Sequence, residues 1–121
     1  LEDHVKIHKK IEGQISNKTP MEVKKEKIRA TRISALLDYF GGEPIDRLYI
    51  DVEGLDCQII NDIDLQKYKV GYIRFERTHS ENTFQSNGPV LQKTTKRLLE
   101  FDYSIIADQN SHEDLVAIKM L

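Results

Sequence analysis

The stretch Leu48-Tyr49-Ile50-Asp51-Val52-Glu53-Gly54 is apolar on both faces of a pleat until acids appear near its end. That pattern predicts a central parallel strand covered by helices on both sides, since a half-solvated strand would alternate apolar and polar residues. Gly54 frees the backbone to turn sharply, and Asp51 and Glu53, two residues apart, share one face of the pleat. In open parallel sheets ligands bind beyond the carboxyl ends of the strands, so both acids fall where chemistry is expected.

Working outward, Leu55, Ile59, Ile60 and Ile63 recur at helical spacing and predict a helix packed back on the sheet. A second buried strand follows, Val70 to Glu76, which sets Glu76 about 5 Å to the side of the first if the strands are neighbours. Arg77 and His79 come directly after it. Asp51, Glu53, Glu76, Arg77 and His79 thus form one candidate crevice, suited to a general base, a hydroxyl-rich ligand or a divalent metal. The plainer readings are that Asp51 caps the following helix and that Glu76 pairs with Arg74 or Arg77. Cys57 reads as a small core residue, and His79 more readily as a surface loop histidine than as a base.

Further out, Ile28 to Ile33 alternate like a strand, and Ser34 is placed to open a short helix that Gly41-Gly42 ends. A long polar loop runs from Thr78 to Gly88, and Pro89 is set at the first position of a helix carrying Leu91, Leu98 and Leu99. Residues 103–107 and 114–118 predict a terminal antiparallel hairpin through Gln109-Asn110-Ser111-His112. The predicted fold is α/β, a mostly parallel sheet with one reversed strand near an edge. Residues 1–27, rich in Lys and Glu with Val5 and Ile7 alternating, read as a weakly structured linker or insertion ahead of a domain at 28–121.

With 18 Lys plus Arg against 20 Asp plus Glu, the net charge of -2 supplies no field that would draw in nucleic acid or an anionic membrane. No apolar run approaches the roughly 20 residues of a membrane span, and no leader pattern is seen at the start. The single cysteine excludes an internal disulfide and fits a reducing, cytoplasmic setting. His4, His8 and His112 are too scattered for a metal site.

The segment 48–54, preceded by Ile45-Asp46 and followed by Leu55-Asp56, resembles the hydrophobic-Lys-Ile-Asp-Val-Glu-Gly-Ala-Glu motif of the FkbM methyltransferase family. Arg32-Ile33-Ser34-Ala35-Leu36-Leu37 resembles an upstream element of that family, and Tyr72 to Glu76 resembles its next strand. Tyr49 stands where the family has Lys, and Leu55-Asp56 where it has Ala-Glu. The resemblance implies the C-terminal half of a Rossmann-like class I methyltransferase sheet. It further implies S-adenosylmethionine as cofactor and a small-molecule hydroxyl, on a sugar or other metabolite, as acceptor. Asp51 and Gly54 would face the cofactor, Asp51, Glu53 and His79 would serve catalysis, and Glu76 and Arg77 would hold substrate. The family's glycine-rich cofactor loop has no counterpart, since Gly13 stands alone and Gly41-Gly42 follows a helix. The chain by itself is therefore expected to be inactive, with a missing N-terminal half or another chain covering residues 48–52. The alternative is a non-catalytic α/β binding module acting through its exposed sheet edge.

Overall fold

A computed structural model describes residues 21–78 and 88–121. The Val5/Ile7 alternation, His4, His8, His79 and most of the loop after Thr78 lie outside the described residues. Residues 21–30 carry no regular secondary structure, and residues 31–121 form a compact unit. The strand predicted over 28–33 is not formed, and Ile28 is 84% exposed. Alternation alone does not make a strand, because the backbone groups need a partner to pair with.

The first helix, α1, spans Ile33–Tyr39 and begins one residue ahead of Ser34, with Arg32 at its N-cap. It ends as its glycines predict. The Gly41 and Gly42 N–H groups donate to the Asp38 and Leu37 carbonyls at 2.9 and 3.0 Å, with both glycines at positive φ. This paired closure satisfies carbonyls that a helix end otherwise leaves bare. Strand β1 follows at Ile45–Tyr49, then α2 at Asp56–Asp62, β2 at Val70–Glu76, α3 at Pro89–Glu100, β3 at Tyr103–Ala107 and β4 at Asp114–Lys119.

The sheet order is β1-β2-β4-β3. β1 and β2 are parallel, and β4 runs antiparallel to both of its neighbours. The reversed strand is therefore next to the edge, as expected, and the fold is a mixed α/β sheet with helices. Register divides the sheet into two unlike faces. On one, Leu48, Ile73, Phe75, Leu115, Ala117, Tyr103 and Ile105 join Cys57, Ile60 and Ile63 of the α2 region and Leu91 and Leu98 of α3 in the core. On the other lie Arg47, Tyr49, Tyr72, Arg74, Val116, Ile118 and Ile106, where no helix of the described residues packs. There the Arg47 guanidinium sits 5.7 Å from the Tyr72 ring centre, and the Tyr49 and Tyr72 rings are 5.7 Å apart.

Two expectations for the first strand are corrected. It occupies 45–49 rather than 48–52, and among the described residues it is an edge strand with helices on one face only. Its apolar run is split. Ile50 is buried, whereas Tyr49 and Val52 are 56% and 42% exposed. The strand stops early because Glu53 and Gly54 adopt positive φ, 53° and 113°, which bends the chain away from the ladder.

Candidate functional site

Because β1 and β2 run parallel, their carboxyl ends meet at the same rim of the sheet. Glu76 is the last residue of β2, and Asp51 and Glu53 belong to the bend just past β1. Side-chain oxygens of Asp51, Glu53 and Glu76 all lie within 4.8 Å of one another. Asp51 and Glu53 are exposed, while Glu76 is buried and accepts a hydrogen bond from the Thr78 hydroxyl at 2.7 Å. An all-oxygen set of this kind suits a hard divalent cation or the hydroxyls of a small ligand.

The acids open onto a crevice of about 400 Å³ whose other walls are Tyr49, Arg74 and the segment Ser111, Glu113 and Asp114. That second wall is held in place from β2. Arg74 donates through Nε and Nη2 to Asp114 at 3.1 and 2.6 Å, and its Nη2 also lies 3.1 Å from Asp108. Arg77 donates through Nε and Nη2 to the His112 carbonyl at 3.0 and 2.7 Å, and its backbone N–H donates to the Glu113 carbonyl at 2.7 Å. Arg74 within β2 and Arg77 just past its end thus both hold the β3–β4 turn beside the crevice.

Position bears on the plainer roles considered for these acids. The N-cap of α2 is Leu55 and carries no side-chain cap, so Asp51 does not serve there. Arg74, a candidate partner for Glu76, is turned to Asp108 and Asp114. Arg77, expected at the substrate, has its guanidinium on the turn. Gly54 is in the bend at positive φ, as the motif requires. Cys57 is fully buried within the core, as a small apolar residue would be.

Sequence reading passed over Asp56, noted only as the acid following the motif glycine. It is completely buried, and its two carboxylate oxygens accept from the backbone N–H groups of Val52 at 3.2 Å and Glu76 at 2.9 Å. Burial pushes its carboxyl above the usual value, and those two N–H donors oppose the rise. No local pattern announces this role, because an acid in the first turn of a helix ordinarily faces water and the helix dipole.

The family described as the methyltransferase FkbM domain matches residues 6–115 of this chain. No curated protein and no solved structure matches it. The match takes in most of the chain and every residue of the rim described above, and the chain belongs to the FkbM methyltransferase family.

Proposed function

We propose that the crevice beyond β1 and β2 is where a methyl group passes from S-adenosylmethionine to a hydroxyl of a sugar or other small metabolite. The observation that carries this reading is the convergence of Asp51, Glu53 and Glu76 at the ends of two parallel strands. The donor set also fits the cofactor's charge. Asp51, Glu53, Glu76, Glu113 and Asp114 line the crevice with one guanidinium, Arg74, which is already bound to two acids. Such a rim attracts a positively charged sulfonium and disfavours an anionic acceptor.

When bound, the cofactor supplies an electrophilic methyl group. Asp51 and the backbone at Gly54 would hold it at the rim. Glu76 would orient the acceptor hydroxyl, and Glu53 would take the proton that this hydroxyl gives up. Arg77 supports the acceptor side through the turn it holds, and His79, two residues further along the sequence, is the other candidate base. The FkbM match and the parallel β1–β2 pair support a Rossmann-like arrangement. In that arrangement the edge of β1 that is unpaired among the described residues takes a further strand, from an upstream segment or from another chain. We place the chain in the cytoplasm on the ground that its single cysteine, Cys57, is buried in the core; among the described residues no helix is long and apolar enough to cross a membrane.

Isothermal titration of S-adenosylhomocysteine into this chain, and into a longer one adding what is encoded upstream, tests the reading. Binding by the longer chain alone is expected, weakened about tenfold or more by Asp51→Asn, which removes a charged acceptor. Absence of binding by both overturns the methyltransferase reading. It would favour a binding module that works through the β1 edge.

A further inference from the structure

We infer that Asp56 is a positioning residue that fixes the spacing of the three rim carboxylates by tying the bend after β1 to the last residue of β2. The inference rests on the reading of this rim as the reaction site. Its own observations are geometric. The ladder between β1 and β2 is registered from Ile45 to Tyr49, and the last backbone bond of that pairing runs from the Ile50 N–H to the Arg74 carbonyl at 2.9 Å. Beyond that point the bend that carries Asp51 and Glu53 is no longer in the ladder, and Glu53 and Gly54 are at positive φ. One side chain spans the gap. Asp56 Oδ1 accepts from Val52, the residue between the two rim acids, while Oδ2 accepts from the N–H of Glu76 itself.

The carboxylate thus replaces the rung that the sheet omits. A buried acceptor with two backbone donors is a stiff linkage, above all because breaking the buried bond leaves the Glu76 N–H without water to satisfy it. Asp56 is also the first residue of α2, whose Cys57 and Ile60 are fully buried, so the linkage is anchored in the core and cannot drift with the bend. In effect the helix holds Val52 with one oxygen and Glu76 with the other, and the distance from Asp51 and Glu53 to Glu76 follows from that span. Asn at position 56 retains one acceptor oxygen, and Glu retains both on a stem one methylene too long. Both changes should release the rim.

The test is solution NMR on the isotopically labelled chain and three variants: Asp56→Asn, Asp56→Glu and, as a core control of similar destabilisation, Ile60→Val. The expected result is a folded spectrum for all. In both Asp56 variants the Val52 or Glu76 amide should lose about tenfold or more of its exchange protection, as befits a lost bond to a charged acceptor. The side-chain carboxyl carbons of Glu53 and Glu76 should shift in both, and stay in place in the Ile60→Val chain. A purely structural role would move them equally in the control, and a bare charge effect would move them only in Asp56→Asn; either outcome overturns the inference. If an Asp56 variant fails to fold, the second variant decides on the same criteria. If neither folds while the control does, Asp56 is a folding determinant and the positioning role is rejected. The S-adenosylhomocysteine titration stands apart, so its failure removes the methyltransferase reading and leaves the result on Asp56 intact.

Discussion

Glu53 is the residue at which stability and chemistry pull in opposite directions. Its φ of 53° places a bulky L-residue in the left-handed region, which costs roughly 1–2 kcal/mol relative to a relaxed conformation. Glycine adopts that conformation without a Cβ penalty. Glu53→Gly is accordingly expected to stabilise the chain by about 1 kcal/mol, visible as a higher Tm, while removing the proposed base. Chemical denaturation paired with methyl-transfer assays on the active protein checks both halves. An unchanged rate would remove Glu53 from the reaction. At the same scale, Asp51, Glu53 and Glu76 were legible from sequence because strand-end acids carry their own positional signal. Asp56 was not, since its role depends on two backbone groups, one of them twenty positions away, that only the folded chain brings to it.

Among the elements, β2 could be read to the residue because its run Val70 to Glu76 is apolar enough to mark both ends, with Ile73 and Phe75 buried against the helices. β1 could not, since hydrophobicity reports which residues avoid water and says nothing of the backbone bend that ends the ladder at Tyr49. The contact between these two strands is close at Gly71, where an added Cβ would stand 3.1 Å from the Asp46 carbonyl oxygen. That oxygen belongs to the backbone of β1, which among the described residues is paired on one side only, so β1 is the element that must give. Gly71→Ala is expected to lower stability by about 1 kcal/mol, measured by denaturant unfolding, through loosening of this pair. Full retention of stability would mean that β1 moves freely, contrary to its ladder with β2.

Across the whole unit, one surface network gives stability a pH dependence of known sign. Asp38, in α1, accepts from the Tyr68 hydroxyl at 2.5 Å and from Lys67 Nζ at 2.9 Å, and Tyr68 above all, with Lys67, holds its carboxyl below the ordinary value of 3.8. A group whose pKa is lower folded than unfolded stabilises the fold above its unfolded value, and that contribution fades as pH falls through the folded one. Asp38→Asn should therefore melt at a lower temperature than the parent near neutrality and converge with it in strong acid. Melting curves recorded across the acid range decide this, and a gap that stays constant would refute it.

The position of β4 has a consequence for how the molecule is made. Among the described residues β2 and β3 do not pair as strands; each hydrogen-bonds to the segment 114–119, which follows both of them in chain order. During synthesis, a nascent chain lacking that segment can form the β1–β2 pair and its helices, yet β3 has no strand to pair with and the flank of β2 that takes β4 remains open. Closure of the sheet awaits insertion of its final strand between two that are already present. Until then the nascent chain exposes an unpaired edge on each side of the gap, the state in which a ribosome-associated chaperone would have something to hold.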